Sequence, residues 1–297
     1  MEVEIRERYI NPYTDFGFKK LFGTELNKDL LISFLNALFK GKLEITDLTY
    51  LNSEHLGDSR LDRKAVFDVY CQLADGSRII VEMQKAEQEY FKDRSIYYST
   101  YPIREQAPQG KWNYRLKDVY TIGILNFVFP GDEYSGDNLV HEIKLKDVED
   151  NHGGPPPMLS TSWAPFYDKL TFVYLEMPKF KKREEELETM FDKWLFALSN
   201  LQRLLERPKA LQERIFTRLF EQAEIASFTP TEREEYVASM KEYWDAYSIA
   251  ETSYNKGKTE GINEANRQNA RKMKADGLPT ELITKYTNLT EEEVKDL

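Results

Sequence analysis

Cysteine is almost missing from this 297-residue sequence. With Cys71 alone, no internal disulfide framework can form. Histidine is scarce too: His55, His141 and His152 are scattered, no spacing gathers them into a zinc constellation, and all three are expected at the surface. Long apolar runs are absent. The longest, YTIGILNFVF at 120–129, has the length of a strand and falls short of the roughly 20 residues that cross a bilayer, so no membrane partner is expected. The start, MEVEIRERYI, lacks the basic and then apolar order of a secretory signal, which together with the lone cysteine points to a reducing, cytoplasmic setting. Neither a Gly-rich phosphate loop nor a serine-nucleophile motif occurs. The formal net charge of −10 excludes a chain-wide cationic surface for nucleic acid. Local balance differs, since Lys85–Lys117 carries a net +3, a hint of an anionic ligand that a solvated face would explain equally well.

What the chain does have is enough apolar and aromatic residues, 41% and 13%, for a packed core. Two helices open it. Thr14 can cap the first, where Phe18, Leu21 and Phe22 recur at helical spacing up to Gly23; Leu30, Leu31, Phe34, Leu35 and Leu38 form the second stripe, ending at Gly41. LEITDLTYL (43–51) reads as a strand followed by a polar loop. KAVFDVYCQL, SRIIVEMQ, VYTIGILNFVF and KLTFVYLEMPKF read as further strands, with a helix in EQEYFKDRSIYYSTYPIREQ and a Gly/Pro loop at 151–157. From Arg183 to about Tyr254 the pattern is helical, and a Gly-punctuated charged tail follows. We therefore expect an α/β core at 1–180, a helical region at 181–254 packed on or beside it, and a charged helical tail at 255–297. KMKADGLPTELITKYTNLTEEEV in that tail imitates two short helices around Asn288. The second is acidic and unsuited to phosphates, so the tail reads as a packing or homo-oligomerisation element.

The central hairpin carries the chemistry. Alternation puts Phe67, Val69, Cys71 and Leu73 on one face of the first strand, and Ile79, Val81 and Met83 on one face of the second. Both apolar faces must meet one core, so odd positions must pair with odd. A two-residue turn at Asp75-Gly76 violates that; a three-residue loop, Ala74-Asp75-Gly76, with Gly76 left-handed, satisfies it. Counting inward then sets Asp68 across from Glu82, with Gln84 on the same face. Facing carboxylates repel, and a divalent cation is the economical compensation. The bland alternative has both acids in water, or paired with Arg78, Arg94 or Lys64. On the next helix Tyr90, Arg94, Tyr97 and Tyr101 share a stripe, in which an arginine calls for a carboxylate or a phosphate.

Taken in order, TDFGFKKLFG (14–23), the Asp68 strand followed by VEMQ (81–84), DRSIYYST (93–100), ILNF (124–127) and YLEMPKF (174–180) with Trp194 resemble the Rpn-like transposase branch of the PD-(D/E)xK nucleases, a group linked to recombination-promoting nucleases. The resemblance implies a mixed sheet flanked by helices, followed here by a helical C-terminal region, and Mg²⁺- or Mn²⁺-dependent DNA cleavage. It implies that Asp68, Glu82 and Asp15 hold the metal, that Glu82, Asp68, Gln84 and Lys19 are catalytic, and that Arg94, Tyr97 and Tyr98 touch DNA. Gln84 stands where the wider superfamily's signature has lysine; Glu-x-Gln is common in this branch. An amide there can orient a water but cannot accept its proton. A second outcome consistent with the motifs is a catalytically weak, nuclease-derived DNA-binding or protein-interaction module of a mobile element.

Overall fold

The computed structural model describes residues 7–55, 65–107, 110–130, 136–145 and 167–297, with only the backbone at 54, 55 and 65. Lys64, His152 and the loop expected at 151–157 lie outside the described residues. The chain divides into two units, Met1–Tyr243 and Trp244–Leu297.

The first unit is built on a six-stranded mixed sheet. Its strands are β1 (Leu48–Tyr50), β4 (Val69–Leu73), β5 (Arg78–Gln84), β6 (Val119–Leu125), β7 (Val140–Leu145) and β8 (Tyr167–Glu176), in the order β1-β4-β5-β6-β8-β7. A separate two-residue ladder pairs β2 (Glu54–His55) with β3 (Ala65–Val66). Strands β5, β6 and β8 are parallel and in register, so Gln84, Leu125 and Glu176 end at one level. The remaining pairs are antiparallel.

The expected hairpin register holds. Val69 pairs with Val81 and Cys71 with Ile79, Leu73 N–H donates to Ser77 O at 2.9 Å, and Gly76 closes the three-residue loop at φ 91°, where a Cβ is disfavoured. Helices α1 (Asp15–Phe22), α2 (Lys28–Leu38), α4 (Met190–Asn200) and α5 (Arg214–Ala223) bury one sheet face with Val69, Cys71, Leu73, Ile79, Val81 and Met83. Thr14 caps α1 as expected, accepting from Gly17 N–H at 3.0 Å. Helix α3 (Phe91–Arg104) crosses between β5 and β6 in the chain and covers the other face. That face is apolar too, so Tyr70 and Ile80 are buried rather than facing water.

Four expectations need correction. Phe67 does not share the face of Val69: the chain bends at Asp68, and Phe67 packs with Tyr70, Tyr98 and Tyr101 under α3. The 43–51 strand is only Leu48–Tyr50. Strand β7, VHEIKL, escaped the reading because both its faces are largely exposed and carry no alternation. Helix α6 (Pro230–Ala275) runs unbroken through Gly257 and Gly261, where punctuation was expected.

In the second unit the end of α6 packs with α7 (Thr280–Thr287) and α8 (Glu291–Lys295) around Ala270, Ile283, Leu289 and Val294. Asn288 takes the left-handed turn between the two short helices, and Thr290 caps α8 through a reciprocal bond with Glu293. No helix among the described residues is long and apolar enough to cross a membrane.

Candidate active site

Asp68 occupies the bend just before β4, and Glu82 lies near the end of β5. Here the backbone ladder gives way to side chains. Asp68 N–H donates to Glu82 Oε1 at 3.3 Å, and Met83 N–H donates to Asp68 Oδ2 at 2.6 Å. Each carboxylate thus accepts an amide of the opposite strand, which fixes the two acids face to face on the α3 side of the sheet. Glu82 is buried, 8% exposed.

The electrostatics follow from burial. Desolvation pushes Asp68 up to about 6; the charge of Asp15 raises it further, while the Met83 amide, Lys19 and Arg94 pull it back. Glu82 is held well above the ordinary carboxylate range, first by burial and next by the charge of Asp68, against the pull of Arg94 and Lys19. Neither acid makes a salt bridge among the described residues. Arg78 is not the compensating cation, because it binds Glu105 Oε2 and the Tyr70 hydroxyl, both at 2.6 Å.

Gln84 is engaged on both ends. Its Oε1 accepts from Arg94 of α3, and its Nε2 donates to Ala86 O at 3.3 Å. Arg94 also binds Gln88 and lies 5.2 and 5.5 Å from the ring centres of Phe91 and Tyr98. Position 84 is therefore linked to a cation that comes from the helix, a contact across ten residues that strand alternation cannot reveal. Tyr98, half-buried, packs on Phe67 and has its hydroxyl's pKa raised by burial and then by the charge of Glu82, so it stands beside the acids. Tyr97 is 44% exposed, with its hydroxyl 2.8 Å from that of Tyr101.

Gly123 explains how α3 comes so close. It pairs with Glu82 on one side and Tyr174 on the other, and a Cβ there would stand 3.0 Å from the Tyr174 ring and 3.1 Å from the Phe91 ring. Phe91, in the first turn of α3, rests on the bare glycine.

On the other side of the pair, Lys19 and Asp15 of α1 form an i,i+4 ion pair at 2.9 Å, each side chain somewhat under half exposed. They line, with Asp68, a groove of about 620 Å³ that Glu232, Glu235 and Glu242 of α6 line as well. Lys20 binds Glu232. Among the described residues, no three His, Cys, Asp or Glu side chains gather closely enough to hold a metal, so the ready-made donors are the facing pair alone. These donors suit a hard cation: carboxylate oxygens of one buried and one half-buried acid, whose mutual repulsion Arg94 and Lys19 offset only in part.

A second buried acid was not singled out in the sequence. Glu176, fully buried at the end of β8, accepts from Phe129 N–H at 2.6 Å, meets His141 Nε2 at 2.9 Å and binds Lys179. His141 is thus no loose surface residue: its side chain is 17% exposed and paired. A charged residue amid the apolar run FVYLE was the available signal.

No curated protein and no solved structure matches the chain. The family model described as PD-(D/E)XK nuclease family transposase matches residues 12–253, from the residues before α1 well into α6, and so takes in every side chain just described. The mixed sheet with helices on both faces agrees with that fold, and the chain belongs to the PD-(D/E)XK nuclease family transposases.

Proposed function

We propose that this protein is a metal-dependent DNA endonuclease of the recombination-promoting type, hydrolysing phosphodiester bonds with Asp68 and Glu82 as the ligands of Mg²⁺ or Mn²⁺. One observation carries the reading: buried Glu82 and half-buried Asp68 face each other with raised pKa values and no ion-pair partner among the described residues. When bound, the ion supplies neutralisation of the pair, polarisation of a phosphate and acidification of a water.

The chain's own residues do the rest. The Met83 amide ties down one oxygen of Asp68 and the Asp68 amide holds Glu82 Oε1 more loosely, so Asp68 Oδ1 and Glu82 Oε2 are the donors on offer. Arg94, which stabilises the charged form of both acids, brings a fixed guanidinium to the place where a phosphate would sit, and Gln84 holds it there. Gln84 cannot act as a base. Its contribution is positioning, of Arg94 as well as of water. Lys19 adds a second cation at the mouth, shared with Asp15, which stands as a further ligand candidate at the rim.

The convergence of only two acids among the described residues favours a second reading, a catalytically weak nuclease-derived binding module. Plasmid DNA titrated with Mg²⁺ or Mn²⁺ separates the two: nicking by the unaltered protein that disappears in Glu82→Gln supports the nuclease, and no nicking at any metal concentration leaves the module.

A further inference from the structure

A second groove, of about 580 Å³, opens at the carboxyl ends of β6 and β8 and is basic where the protein as a whole is acidic. We infer that it is the track for the phosphate backbone of the nucleic acid on one side of the cutting site, with Lys181 and Arg203 as its phosphate contacts; this rests on the nuclease reading for its substrate.

Position is the first argument. Asn126 lines the groove, and its N–H donates to Gln84 O at 3.0 Å, so the groove begins at the residue next to the Arg94 clamp. Tyr13, another lining residue, lies two positions before Asp15. Strand β8 is two strands from β5. At about 4.8 Å per strand the far wall lies roughly 10 Å from the Glu82 row, about three nucleotides of rise along one strand. Open α/β sheets also tend to bind ligands at the carboxyl ends of their strands.

Charge is the second. The stretch 179–183 holds Lys179, Lys181, Lys182 and Arg183. Lys179 is committed to Glu176, Lys182 to Asp192 at 2.9 Å, and Arg183 to Glu185. Exposed Lys181, and Arg203 across the groove, have no ion-pair partner among the described residues. The one acid lining the groove, Glu184, accepts from the Ala210 N–H at 3.0 Å, and the side chain of Asn126 makes no hydrogen bond to a described residue. Half-buried Phe180 and Phe196 give apolar walls for a base or sugar.

Exclusion is the third. The groove that Asp68 itself lines carries Glu235 and Glu242, which repel phosphates, beside Glu232, which Lys20 answers. A backbone engaged at Asp68 and Glu82 has its electrostatically open exit toward Lys181 and Arg203.

The test separates binding from cutting. A fluorescent 20-base-pair duplex and the matching single strand are titrated, without divalent ions, by the Glu82→Gln protein and by the same protein carrying Lys181→Ala and Arg203→Ala. Lys209→Ala with Lys272→Ala serves as the charge-matched control, and thermal melts check folding. We expect Lys181→Ala/Arg203→Ala to weaken binding by about 10–100-fold near 0.1 M salt and to flatten the log–log salt slope by about 2, with the control near the parent. Binding and slope equal to the control, or no binding by the parent at all, overturn the track. Nicking by the unaltered protein is scored separately: binding that depends on Lys181 and Arg203 without nicking leaves the track standing and removes the nuclease, and nicking with groove-independent binding does the reverse.

Discussion

Two glutamates lie at or near the carboxyl ends of parallel strands of the same sheet, β5 and β8 with β6 between them, and the protein treats them oppositely. Glu176 of β8 is fully buried and surrounded by a backbone N–H, His141 and Lys179. Glu82 of β5 is nearly as buried, receives one N–H at 3.3 Å, and faces another acid. Burial alone says nothing about use. A buried acid whose charge is fully answered is part of the fold, whereas one left to repel a neighbour stores unfavourable electrostatic energy that a ligand can relieve.

The largest effect expected from breaking this contrast is on cutting. Glu82→Gln should lower metal-dependent nicking by about 10³-fold or more, about 4 kcal/mol in the barrier, while urea unfolding in metal-free buffer shows unchanged or higher stability. A clear loss of stability would place Glu82 in the same class as Glu176. The converse substitution, Glu176→Ala, strands the Lys179 ammonium, the His141 ring and a backbone N–H. It should cost about 3–5 kcal/mol of folding stability in the same unfolding measurement.

Next in size is Gln84→Ala, which releases Arg94. Cleavage should fall by roughly 10–100-fold, about 1.4–2.7 kcal/mol, with metal affinity little changed in a calorimetric titration; single-turnover cutting at the unaltered rate would remove Gln84 from the mechanism. The smallest effect is on stability against pH. Asp68, pushed up to about 6, and Glu82, also raised, bind protons more tightly in the folded than in the unfolded chain. Their contribution is therefore fully present below the ordinary carboxylate pKa and is lost as pH rises through the raised values, about 6 for Asp68. Melting temperatures from pH 4 to 8 should show this slope without metal, and Glu82→Gln should flatten it.

The hairpin was the most legible part of the sequence. Odd-with-odd pairing and one glycine sufficed to set Asp68 against Glu82, because a strand's alternation and a turn's handedness are both local. The face of Phe67 was not legible, since a bend at Asp68 breaks the alternation on which the reading rests. Nor was the pairing of Gln84 with Arg94, or the answered state of Glu176. Both depend on how far a helix or a neighbouring strand reaches across the sheet, and no period within one strand encodes that. Cover over both sheet faces was partly visible, in that Tyr70 and Ile80 are apolar at positions assigned to the outer face.

Gly123 gauges the height of α3 above the sheet. Its missing methyl lets the Phe91 ring settle onto β6, and Arg94, one turn further along the helix, inherits that height when it reaches over to Gln84. Gly123→Ala would act as a shim, lifting the helix's first turn while leaving both carboxylates in place. Cutting would then fade faster than folding as larger side chains are tried at 123, and comparing nicking rates with melting temperatures over such a series would measure how finely the guanidinium must be held.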